Sequence, residues 1–152
     1  MFESVLFLHS WFRWVVLISI ISLGFKFIKS WIKNEKWSSA DNSYLNGFSQ
    51  IYYTQLAIGL TLYFGLSPIP KAIISNPDLI KDPYFFFFGI RHALSMILGV
   101  GVFHMGKWIA IKKPIESRYR ILSITMIVTL LIVISAIPWP KLVYGRDLFR
   151  WF

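Results

Sequence analysis

Polar and apolar positions fall into long blocks along this chain. Four stretches, about 4–25, 48–66, 84–106 and 121–137, are almost wholly apolar. Each approaches the roughly 20 residues with which a helix crosses about 30 Å of hydrocarbon. Between them lie "KNEKWSSADNSYLNG", "SPIPKAIISNPDLIKDP" and "KKPIESRYR", polar stretches carrying turn signals. The fourth stretch stops at "IPWPK", because Pro138 and Pro140 cannot continue a helix. The first stretch lacks a basic leader and a small-residue cleavage site, and lysines follow it at once, so it reads as a span and not as a cleaved signal. The pattern predicts an all-α fold: an integral membrane four-helix bundle, up-down-up-down, with residues 1–152 as a single transmembrane domain.

Composition agrees. The 152 residues are 56% hydrophobic and 18% aromatic, with a mean hydropathy of +0.58. Only 15% are charged, against about a quarter in soluble domains. The net charge of +9 raises nucleic acid as a partner, but the basic residues sit in short loops, where membrane topology places them. Loops one and three hold nine Lys and Arg, and the middle loop and C-terminal tail together hold five. That asymmetry predicts loops one and three in the cytoplasm and both termini outside. Trp11, Trp14, Trp31, Trp108, Trp139 and Trp151 lie near span ends, as an aromatic belt requires. With no Cys, thiolate metal sites, iron–sulfur clusters and covalently attached haem are excluded.

Inside this apolar frame, three histidines stand out. His9 lies in the first span with Arg13 one helical turn later, and polar groups in a span signal a partner, a wet cavity or a ligand. His92 lies early in the third span, beside Arg91. Spans one and three run the same way, so the depths of His9 and His92 differ by only about 5 Å. Those spans sit on the diagonal of the bundle, roughly 14 Å apart. That gap suits a flat macrocycle held edge-on, with an imidazole reaching its iron from either side. His92 shares a helix face with Phe88, Ser95, Met96, Gly99 and Phe103, and Gly99 leaves room for a porphyrin. Arg13 and Arg91 suit haem propionates. Taken singly, each feature has a plainer reading: an interfacial histidine, a snorkelling arginine, a glycine for helix approach.

His104 lies 12 residues past His92, with no histidine at its depth to share a second haem. Gln50, Tyr52, Tyr53, Thr54 and Gln55 lie nearby in span two; an interfacial structural histidine is the plainer reading of His104, while Gln50, Gln55 and the tyrosines equally offer a quinone pocket with His104 as a donor to a quinone oxygen. The spans hold no Asp or Glu for a carboxylate relay, and no phosphate loop or hydrolase triad is present.

Over nearly its whole length the chain resembles a family of short, four-span bacterial membrane proteins labelled cytochrome B-like. The resemblance rests on "LHSWFRWVVL", "QLAIGLTLYF", the "RH" of span three, and "IPWP" followed by "GRDLFRWF". It carries over His9 and His92 as candidate ligands. The family pattern often has a histidine in span two where this chain has Tyr52, Tyr53 and Thr54, which counts against a second haem.

Three functions are then open. One is a b-type cytochrome with haem b between His9 and His92, passing electrons between membrane quinol and a redox partner. Another is a non-catalytic accessory subunit that packs against a larger membrane complex, with the "GRDLFRWF" tail exposed for docking. The third is an enzyme acting on porphyrin or on a lipid-soluble redox substrate.

Overall fold

The computed structural model describes residues 1–149. Arg150 and Trp151, which entered the charge count and the aromatic belt, lie outside the described residues. The chain is helical throughout, and no strand occurs among the described residues. Helix α1 runs Phe2–Ile32, and its 31 residues make it longer than the apolar stretch that nucleates it. Helix α2, Ser39–Leu60, starts at a capping box in which the Ser38 and Asp41 side chains take each other's backbone N–H groups. It runs on through a π-helical turn, Thr61–Leu66.

The middle loop holds more helix than its turn signals imply. Ser67 is extended, as a residue before proline prefers, and Pro68 then starts the short helix α3, Pro68–Ser75, bent 48° from the helix before it. Asn76 caps a 3₁₀ turn, Pro77–Lys81. Asp82 caps the four-residue helix α4, Pro83–Phe86, by accepting from the Tyr84 and Phe85 N–H groups. A second π-helical turn, Phe87–Arg91, joins it to α5, His92–Lys112. Helix α6, Arg118–Ser135, ends where the sequence places its prolines.

Three helical stretches are long and apolar enough to cross a membrane: Phe2–Ile32, Pro83–Lys112 and Ile115–Ser135. Ser39–Leu66 joins them when it is counted with the bent Pro68–Ser75. Helix α1 packs on α2 and α6, and α5 packs on α6 and, more sparingly, on α2. Val16, Ile20 and Phe27 meet Leu122 and Met126 in the shared core, with Phe48, Tyr52 and Phe103 beside them. At Gly106 a Cβ would strike Thr125, so this glycine allows α5 and α6 to approach closely. Outward-facing residues are large and apolar too: Ile18, Phe25, Leu94 and Leu131 are each more than 60% exposed. An apolar outer surface of this extent marks a chain whose surroundings are not water alone.

The α2–α5 seam determines where a site can form. It is closed at one end by Phe48 against Phe103, by Tyr53 against His104, and by Lys107 bonded to Asn46 and Ser49. Beyond Tyr52 a cavity opens between α1, α2 and α5.

Candidate functional site

That cavity, of about 980 Å³, is at the upper end of the range for ligand pockets. Leu6, His9, Ser10 and Arg13 line it from α1, and Tyr52, Gln55, Leu56 and Gly59 from α2. Phe88, His92, Met96 and Val100 supply the third wall. Leu62, Tyr63, Pro68, Ile69 and Tyr84 border it from the middle of the chain, and Pro138, Pro140, Gly145, Arg146, Asp147 and Phe149 from the chain after α6.

The π-helical turn at Phe87–Arg91 places His92. The His92 N–H bonds to the Phe87 carbonyl five residues back, which adds one residue to the turn and offsets the two helical pieces it joins. The Tyr63 hydroxyl donates to the Gly89 carbonyl at 2.6 Å and ties the two π-helical turns together. The His92 ring donates Nδ1–H to the Ala136 carbonyl at 2.7 Å, just past the end of α6. This bond fixes the tautomer and leaves Nε2 with a lone pair, the state in which a histidine ligates a metal.

His9 faces it from α1. The two imidazoles lie edge-to-face with centroids 6.2 Å apart. The His9 Nε2 is 3.5 Å from the Gln55 amide nitrogen, which bonds better to the His9 carbonyl at 3.1 Å. Its Cε1 edge turns toward Gly59, where a Cβ would come within 3.1 Å. Gly59 is therefore the glycine that makes room for a histidine.

Sealed polar atoms without partners concentrate here: His9 Nδ1, Gln55 Oε1, Tyr52 Oη and Arg13 Nε. Buried polar atoms in folded proteins are nearly always satisfied, so a group of orphans around one cavity points to a ligand or ordered water.

The other expected site residues fall in different places. Arg13 lines the cavity as its i, i+4 spacing from His9 requires. Arg91 lies outside it: one residue from His92 is about 100° around a helix, so one faces in and the other out. Arg91 is exposed, donates to the Tyr144 hydroxyl at 3.1 Å, and lies over the Phe87 ring. Gly99 lies below the cavity floor, where a Cβ would stand 2.5 Å from the Tyr52 hydroxyl, so the space it leaves admits that tyrosine. His104 is exposed near the far end of α5, with its Nδ1 bonded to the Tyr53 hydroxyl at 2.9 Å. Gln50 and Thr54 are exposed, and Tyr53 meets His104 outside the cavity.

Sequence reasoning missed Arg146 and Tyr84. The segment after α6 folds back as a strap across the cavity mouth. Arg13 donates to the Leu148 carbonyl at 2.7 Å, Trp14 stacks on Phe149 at 5.2 Å, and Phe87 stacks on Tyr144 at 3.9 Å. Arg146 bonds to the Tyr84 hydroxyl and lies 3.9 Å from the Phe88 ring centre. So "GRDLFRWF", read as an exposed tail, packs through Phe149 against its own chain, while its last three residues lie outside the described residues. The signal was the arginine and aromatic content of a segment too short to form another span.

No family model matches the chain, and no curated protein or solved structure is significantly similar to it. Among the described residues no three His, Asp or Glu side chains converge on one point.

Proposed function

We propose that this chain is a bacterial inner-membrane b-type cytochrome: an up-down-up-down four-helix bundle with both termini outside, holding one haem b between His9 and His92. The observation that carries the reading is the His92 Nδ1–H bond to the Ala136 carbonyl, which turns a lone pair away from the backbone beside a second imidazole. The two imidazole centroids lie 6.2 Å apart, near enough for both residues to hold one metal ion.

The donor set fits the group. His9 and His92 would hold the group, and the cavity has an apolar body in Leu60, Met96 and Val100. Such a group supplies a one-electron couple whose potential the protein sets through axial ligands and local polarity. His92 holds its ring in register through Ala136. His9 is the adjustable ligand, since Gln55 grips its Nε2 only weakly. Arg13 places a positive charge at the site, and Tyr52 sets the floor. Membrane quinol is the electron donor that suits this location, with a redox partner protein or larger complex as acceptor.

The test is an absorption spectrum of the purified protein, oxidised and dithionite-reduced, after expression with added haem precursor. The account expects a Soret band with sharp reduced α and β bands, lost in both His9→Ala and His92→Ala and kept in His104→Ala. A colourless protein, or bands that survive both substitutions, would overturn it and favour the accessory-subunit reading.

A further inference from the structure

Two guanidinium groups reach the cavity from opposite sides, Arg13 from α1 and Arg146 from the strap. No carboxylate among the described residues pairs with either: the acids bordering the same space, Glu3 and Asp147, form no ion pair with them. Arg13 uses one Nη2–H on the Leu148 carbonyl and leaves Nε sealed without a partner. Arg146 has a tyrosine hydroxyl and an aromatic face. A cation removed from water is costly unless countered, and guanidinium groups match carboxylates in shape and charge. The cavity therefore holds its guanidinium groups under the strap, with Asp147 next to Arg146, and is apolar toward Met96 and Val100.

We propose that Arg13 and Arg146 are the recognition site for two acid groups on one edge of a flat, apolar ligand, which enters with that edge beneath the strap. The proposal rests on the tetrapyrrole reading above for the class of ligand. It assigns the second arginine to Arg146 and not to Arg91. It also makes the strap part of recognition, because one arginine belongs to it and the other is bonded to its backbone at Leu148. Binding of the diacid orders residues 138–149.

The test uses the full chain in lipid nanodiscs, with empty nanodiscs as the background. The probes are metal-free protoporphyrin IX and its dimethyl ester, followed by fluorescence. Neither needs an axial ligand, so the arginine proposal is judged apart from histidine ligation, which the haem spectrum judges. The diacid is expected to bind about tenfold or more tightly than the ester. Arg146→Gln and Arg13→Gln abolish that preference, and Arg91→Gln keeps it. Amide exchange over 138–149 slows with the diacid and not with the ester. Equal binding of acid and ester by the unmodified protein, or binding of neither, overturns the proposal whatever the variants do. Oleate displacing the porphyrin with equal potency overturns the assignment to a flat, two-acid ligand.

Discussion

At one end of this bundle four donors converge on a single carboxylate, and at the other a cluster of polar atoms meets nothing. Asp41, 2% exposed, accepts from the Lys26 ammonium, the Ser38 N–H at 2.8 Å, the Ser38 hydroxyl at 2.7 Å and the Tyr119 hydroxyl at 2.7 Å. Trp37 and Phe27 pack on the Tyr119 ring and seal the cluster. This is how a buried charge is ordinarily kept: paired, hydrogen-bonded and enclosed. Around His9 the chemistry is as polar, yet Tyr52, Gln55 and Arg13 each leave a sealed atom without a partner. The Asp41 end closes the fold, and the His9 end holds polar groups in readiness, as binding sites do at some cost in stability.

The contrast predicts opposite signs for polar-to-apolar substitutions at the two ends. Asp41→Ala has the largest effect. It strands Lys26 and the Tyr119 hydroxyl, and with Lys26 partly solvated it costs about 2–3 kcal/mol, read as a lower unfolding midpoint with ligand binding unchanged. The same residue gives a pH dependence. Asp41 lies in the polar first turn of α2, ahead of the apolar stretch that begins at Phe48. Burial opposes its ionisation, but the bonds from Lys26, Ser38 and Tyr119 outweigh burial and hold its pKa at about 2, below the ordinary 3.8. A depressed carboxylate stabilises the fold above its unfolded pKa. That contribution is complete above pH 3.8 and is lost as pH falls through about 2, and Asp41→Asn removes it.

Gly99→Val comes next. Its Cβ would meet the Tyr52 hydroxyl at 2.5 Å and the Ile132 Cγ2 at 3.5 Å, and overpacking of this kind costs about 1–3 kcal/mol. The displaced Tyr52 also disturbs the cavity floor, so this variant lowers both stability and ligand affinity. The smallest effect sharpens the comparison most. Tyr52→Phe deletes a buried hydroxyl with no partner, so the ligand-free protein is unchanged or up to about 1 kcal/mol more stable. A loss of stability there, measured by thermal unfolding in detergent, would show that the hydroxyl is already satisfied and would remove one orphan from the argument.

The long helices were legible because apolar runs of this length leave few alternatives: 4–25 lies within Phe2–Ile32, and 121–137 overlaps Arg118–Ser135. The pairing of His9 with His92 was legible from depth and direction alone, and their rings lie within contact of each other. Helix α3 was not, since Pro68 marks a turn as readily as a helix start. Gly99 shares a face with His92, but two helical turns carry it past the cavity floor to the Tyr52 hydroxyl, and a wheel shows direction around the axis without depth along it. Arg91 was assigned by nearness in sequence, which on a helix points neighbours apart. Arg146 needed the strap, a long-range fold-back that local pattern cannot express.

On the reading proposed above, the His9 end is a ligand site and the Asp41 end a structural cluster. Thermal unfolding of the full chain with and without haem, in the unmodified protein, Asp41→Ala and His92→Ala, tests it most directly. A ligand present at 100 times its dissociation constant stabilises the folded state by about 2.7 kcal/mol. The account predicts that the unmodified protein and Asp41→Ala gain equally from haem, from different starting midpoints, and that His92→Ala gains almost nothing. An equal gain in His92→Ala, or no gain in the unmodified protein, would contradict it.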